Sequence, residues 1–101
     1  MLNDIHLIGN LGSKPELTTS SKGVTIVNFS MAVNEKVKGE DRSQWFRCVA
    51  FGKQAEYIHR TCIRGTRVYI EGPHRSETYN DKERWTVTVN KIICISGKKD
   101  Y

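Results

Sequence analysis

Gln44-Trp45-Phe46-Arg47-Cys48-Val49-Ala50-Phe51-Gly52-Lys53 is the stretch on which the fold turns. Side chains alternate sides along a strand. A strand here sets Trp45, Arg47, Val49 and Phe51 on one face and Phe46, Cys48 and Ala50 on the other. If the second face is the core, the first carries two flat rings with a guanidinium between them, and Lys53 stands at the strand's exit. Rings stack on the faces of unpaired bases while cations neutralise phosphates, so a sheet that interleaves the two suits single-stranded nucleic acid. The alternative is that Trp45 and Phe51 fill the interior of a small barrel. Arg47 between them argues against a dry interior, because an unpaired buried charge is costly.

Downstream the period changes. Ala55, Ile58 and Cys62 fall at helical spacing with Tyr57 nearby, which predicts a helix over 53–63 with Gly65 closing it from just beyond its end. Upstream, residues 24–33 alternate as a long strand, and the polar run 34–43, with Gly39 at its middle, predicts an exposed hairpin loop. Residues 5–11 form a first strand closed by Gly12 and Pro15. Residues 66–71 form a fourth strand ending at Gly72-Pro73; 74–79 continue as an extended arm, 80–83 turn, and 84–95 form the last strand. The chain is mostly β. Five strands with one helix between the third and fourth is the order of the OB-fold, a Greek-key barrel whose strand 2–3 face and loops bind oligonucleotides and oligosaccharides.

The 101 residues suit a single domain over 1–101. Sixteen Lys and Arg against 11 Asp and Glu leave a net charge of +5, which favours a polyanion or an anionic surface without choosing between them. Cys48, Cys62 and Cys94 lie far apart without a CxxC, as expected of small buried residues in a reducing compartment, and the chain is expected to be cytoplasmic. No apolar run approaches the roughly 18 residues of a membrane span, and the N-terminus lacks a signal-peptide layout. His6, His59 and His74 lack metal spacing, Asp4, Glu56 and Glu71 show no carboxylate pair, and no nucleophile motif or Gly-rich phosphate loop is present. A non-enzyme without metal or cofactor is expected.

Over nearly its whole length the sequence resembles the bacterial-type single-stranded DNA-binding proteins. The resemblance is carried by Leu2-Asn3, Leu7-Ile8-Gly9-Asn10-Leu11-Gly12, Pro15-Glu16-Leu17, Val27-Asn28-Phe29-Ser30 and Ala32-Val33-Asn34-Glu35, then by the stretch from Trp45 through Glu56, Arg64-Gly65 and Val68-Tyr69-Ile70-Glu71-Gly72. It implies an OB-fold, a homo-oligomer (a tetramer by family habit, a dimer as the alternative) and sequence-tolerant binding of single-stranded DNA in replication, recombination and repair. It places base stacking on Trp45, Phe51 and Tyr79, and phosphate contacts on Arg47, Lys53, Arg64 and Arg75. The chain departs from the family pattern at Val37, Glu77, Thr78 and Asp4, where an aromatic, cations and a basic residue are usual. Family members usually continue into a tail with an acidic, apolar tip that recruits replication and repair proteins. This chain stops at Gly97-Lys98-Lys99-Asp100-Tyr101, as a truncated core or a short member would.

Several residues keep two readings. Tyr79 contacts DNA or only caps the 80–81 turn. Trp85 packs across that hairpin from Tyr79 or joins the site, and it is not counted among the site residues. Lys53 serves the start of its helix or a phosphate; the helix dipole, which prefers anions at that end, favours the phosphate. The rival functions are an OB-fold accessory subunit that docks a replication or primosome protein, and an RNA binder of the cold-shock type.

Overall fold

The computed structural model describes residues 2–96, without the side chains of Tyr79 and Ser96. In chain order these residues form β1 (Ile5–Leu11), β2 (Glu16–Thr19), β3 (Thr25–Val37), β4 (Glu40–Phe51), α1 (Gly52–Thr61), β5 (Arg67–Gly72), β6 (His74–Tyr79), β7 (Lys82–Thr88) and β8 (Lys91–Ser96). Paired strands run in the order β6-β7-β4-β3-β1-β5-β8, with β2 added to β3. The arrangement is that of an OB-fold with its helix between the third and fourth principal strands. The path of paired strands is not closed ladder to ladder, in contrast to the five-stranded barrel expected. The expected last strand breaks in two instead: β7 lies parallel to β4, and β8 lies antiparallel to β5. At the break, the Val89 N–H donates to the Val49 carbonyl at 2.9 Å and the Asn90 N–H donates to the Glu71 carbonyl at 2.8 Å. Two consecutive residues thus bridge β4 and β5, which are not neighbours in the path.

Period-two alternation builds the core. Val27, Phe29 and Met31 of β3, Cys48 and Ala50 of β4, Val68 and Ile70 of β5, and Val87 of β7 are buried, together with Ala55 and Ile58 on one side of α1. Residues 34–43 are not a loop. The strands continue to a two-residue turn at Lys38-Gly39, both at positive φ (52° and 81°), the backbone whose twist matches a hairpin. Across it the register sets Glu35 opposite Arg42 and Lys36 opposite Asp41, while the Ser43 hydroxyl donates to Asn34 Oδ1 at 2.7 Å. Cross-strand charge complementarity of this kind contributes about 0.2–1 kcal/mol per pair, so a polar composition suffices for a strand here. Gly65 does not cap α1. The helix ends at Thr61 in front of an extended Cys62, and Gly65 (φ 90°) serves the turn before β5, where its N–H donates to the Leu11 carbonyl at 2.8 Å.

Candidate nucleic-acid interface

The outer face of the β3–β4 ladder carries Ile26 beside Phe51, Asn28 beside Val49, Ser30 beside Arg47 and Ala32 beside Trp45. Cys48 and Ala50, on the other face of β4, are wholly buried, whereas Trp45 is 61% and Phe51 46% exposed. The interior alternative for these two rings is thereby overturned. The face widens on one side through β2, where Glu16 pairs with Asn28, and on the other through β7, where Thr86 pairs with Arg47. Beyond β7, the β6 register sets Arg75 beside Thr86 and Glu77 beside Arg84.

Three adjoining hollows share Arg47 and Arg84. The largest, about 620 Å³, runs along Ile26, Val49, Phe51 and Thr86, with Glu77 at its side. A second, about 420 Å³, shares Asn28 with it and adds Lys14 and Glu16. A third, about 290 Å³, lies where β4 and β7 part and adds Trp45, Phe46 and Trp85 to its lining. Four cations, Lys14, Arg47, Arg75 and Arg84, therefore stand along a face broken by Glu16 and Glu77. A flat, partly apolar surface with spaced guanidinium groups can stack planar rings and neutralise a polyanion; it holds no general acid–base pair.

The indole of Trp45 rests on Gly12. A Cβ at residue 12 would stand 2.7 Å from Trp45 Cη2, and the Gly12 N–H is held to the Ser30 carbonyl at 2.9 Å. Only a residue without a side chain lets the ring lie where it does.

The other residues expected at the site are dispersed. Lys53, in the first turn of α1, lines a separate hollow of about 320 Å³ with Gln54, Tyr57 and Lys91. Arg64 is exposed in the turn beside Gly65, whose carbonyl accepts from Asn10 Nδ2 at 2.9 Å. Tyr79 pairs with Lys82 at the end of the β6–β7 hairpin, but its side chain lies outside the described residues. Arg84 and Lys14 join the face without having been expected there, whereas Trp85 falls on the other side of β7 with Val87. Trp85 stands opposite Ser76, not Tyr79, and its ring lies 5.0 Å from that of His74, which is 5.9 Å from that of Phe46. The adjacent Arg84-Trp85 pair was the available signal, a second cation beside a second indole.

Away from this face, β1–β5 pairing gathers residues that sequence spacing keeps apart. Asp4, His6 and Glu71 place ligand-type atoms within 4.8 Å of one another and could converge on a metal ion. Their hydrogen bonds account for the grouping without one. Asp4 Oδ2 meets His6 Nε2 at 2.8 Å, and the Tyr69 hydroxyl donates to the Glu71 carboxylate, which pushes the Tyr69 pKa up to about 12. Burial pushes the Cys48 thiol up to about 12 as well, far from the range of a reactive thiolate. No helix among the described residues is long and apolar enough to cross a membrane.

Comparison with known proteins agrees with this geometry. The chain is 36% identical to single-stranded DNA-binding protein 1 of Chlorobaculum tepidum, over 98% of its own length and 67% of that protein's. It is 34% identical to single-stranded DNA-binding protein 1 of Xylella fastidiosa, covering 97% and 79%. It is 31% identical to single-stranded DNA-binding protein 1 of Staphylococcus aureus, covering 95% and 59%. The chain thus spans between 59% and 79% of the length of these relatives. The model of the single-strand binding protein family matches residues 2–96, every residue whose backbone is described above, and the chain belongs to that family.

Proposed function

We propose that the face built by β2, β3, β4, β7 and β6 binds single-stranded DNA without strong sequence preference. The observation that carries this is the exposure of Trp45 and Phe51 on either side of Arg47, on one face of one strand. Stacked bases contribute about 1–3 kcal/mol each whatever their identity, which gives sequence tolerance. In this reading Trp45, Phe51 and Tyr79 hold bases, while Arg47, Arg75 and Arg84 hold the backbone between them. Lys53 and Arg64 meet phosphates where the strand leaves the face. Bound in this way, single strands are kept from re-annealing during replication, recombination and repair. The role is one of binding, not catalysis.

Copies of the chain associate through the β1–β5–β8 sheet in this proposal. Its support is the row Ile8–Tyr69–Ile93, set side by side by the register, with Ile8 56% and Ile93 48% exposed. A further support is β1 itself, which pairs with β3 only at Asn10 and Leu11. The tetramer rests on the family resemblance. A cytoplasmic setting is supported by three buried cysteine thiols. The rival of a docking subunit for another replication protein has no observation in its favour.

The test is Trp45→Ala, titrated with oligo-dT and oligo-dC at two salt concentrations. Binding to both should weaken by about 5- to 150-fold, the equivalent of one stacked base. The parent protein's log-affinity should fall with log-salt at a slope of about −3.5 for these five phosphate contacts. Unchanged affinity for both oligomers removes the stacking claim.

A further inference from the structure

We propose that Asp4, His6 and Glu71 form a binding site for one divalent cation of the zinc class, which fastens the start of β1 to β5. The site lies on the β1–β5–β8 sheet, away from the DNA face. It needs neither bound DNA nor a second copy of the chain.

Strand pairing builds the site. Asp4 stands two residues before His6 and meets it on the same side of the chain, and the register sets Glu71 of β5 beside His6. One ligand-type atom from each lies within 4.8 Å of the other two. A tetrahedral zinc ion with nitrogen and oxygen ligands at about 2.0–2.2 Å holds those atoms about 3.4 Å apart, so small side-chain rotations close the trio. Because hydrogen bonds already gather the three groups, an ion meets a site that is largely formed.

The same hydrogen bonds show which atoms face the ion. The Tyr69 hydroxyl gives its proton to the Glu71 carboxylate, and its oxygen lies 3.3 Å from His6 Nδ1. That oxygen is left to accept, so Nδ1 carries the ring hydrogen. The other ring nitrogen, Nε2, meets Asp4 Oδ2 at 2.8 Å. Two electron-rich atoms at that distance need a positive centre between them, a proton or a metal ion. Metal-ligating histidines are commonly held in this way, with the far nitrogen fixed by a hydrogen bond outside the ligand set. Tyr69 is thus a positioning residue, which orients both His6 and Glu71. Its ring also meets the imidazole edge-on, with centroids 6.2 Å apart and planes at 87°.

The donor set selects the ion. Calcium and magnesium prefer oxygen ligands throughout, whereas an imidazole beside two carboxylates suits zinc and leaves a fourth position for water. The imidazole is what separates this trio from an ordinary acidic patch. Among the described residues no ion pair joins Glu71 to Lys91, its neighbour on β8, which lines the hollow beside α1. β1 is also the strand with most to gain. It pairs with β3 only at Asn10 and Leu11, so its first half is laddered to β5 alone, and the ion adds a second tie there.

The metal-stripped protein is titrated with Zn²⁺ in a calorimeter, and with Co²⁺ as a visible probe of the same site. The inference expects one ion per chain, the visible absorption of a tetrahedral nitrogen–oxygen site, and a thermal midpoint that rises with Zn²⁺. His6→Ala and Glu71→Gln should each abolish both the uptake and the rise. Glu71→Gln keeps the shape of its side chain, so it decides the matter if His6→Ala does not fold. Tyr69→Phe keeps every ligand and should weaken binding by about 10- to 100-fold. A parent protein that takes up no ion overturns the site. So does uptake that His6→Ala and Glu71→Gln leave unchanged, and so does a near-ultraviolet thiolate band with Co²⁺, which would put the ion on a cysteine.

Discussion

Gly12 has no side chain and touches no ligand in the proposed complex, yet it sets the height of Trp45 above the sheet. A methyl group there would meet the outer edge of the indole, which is the free end of a rotatable side chain. The ring swings aside at small cost to the fold. Gly12→Ala should therefore weaken oligo-dT binding by up to the value of one stacked base, about 1–3 kcal/mol, while the thermal midpoint moves little. A titration and a melting curve on the same variant check this, and a large fall in melting temperature with unchanged affinity would reverse the assignment. Two groups with raised pKa values, Cys48 and Tyr69, give a prediction in pH. Cys48 loses its proton near 9.0 in an exposed setting but only at about 12 in the fold, because burial disfavours the thiolate. Tyr69 shifts the same way, from 10.0 to about 12, through its hydrogen bond to Glu71. Both contributions to stability are complete below the unfolded values and are lost as pH climbs through the folded ones. Urea midpoints should hold to about pH 9 and fall between about pH 9 and 12. Cys48→Ala should flatten the first part of that fall.

At the scale of elements, alternation and helical spacing were readable where one side of the element meets the core. The β4 stretch is such a case, since Cys48 and Ala50 vanish into the interior and their neighbours do not. The 34–43 segment is the contrary case. Both faces of that hairpin beyond the core are polar, so hydrophobic period carries no signal, and the strands are held by a turn and by facing charges. The same blindness hid Arg84, which lies on β7 past the point where Val87 enters the core. The division of the last strand into β7 and β8 was illegible for another reason. It is fixed by two carbonyl partners, Val49 and Glu71, contributed by distant parts of the chain. The hairpin turn is testable alone. Gly39 sits at φ 81° with nothing within 4 Å of a Cβ, so Gly39→Ala changes backbone strain and little else. It should destabilise the protein by about 1 kcal/mol, read from urea unfolding. A neutral result would mean that the turn is not held in this conformation.

At the scale of the molecule, a net charge of +5 spread over a small domain favours approach to DNA but does not create a long track, because one OB barrel covers on the order of 4–16 nucleotides. Extending the path requires more copies, and the surface proposed to join them uses strands other than those of the DNA face. β5 alternates buried Val68 and Ile70 with outward Tyr69, and the register carries that outward row to Ile8 on one side and Ile93 on the other. Three large apolar groups in a row across three strands form a patch, and patches of that kind mark association surfaces. Placing a charge in the centre of such a contact leaves it desolvated and unpaired in every copy, which costs several kcal/mol per interface. Ile93→Glu should therefore shift the protein to smaller species in sedimentation at micromolar concentration. Its affinity for an oligomer short enough for one barrel should stay within about two-fold of the parent, while affinity for long poly-dT falls, because linked sites gain from each other by effective concentration. The two lengths of DNA separate the outcomes. A variant that stays associated removes this face as the contact. A variant that dissociates yet loses short-oligomer binding as well would mean that the DNA face is completed by a second copy instead of being built within one chain.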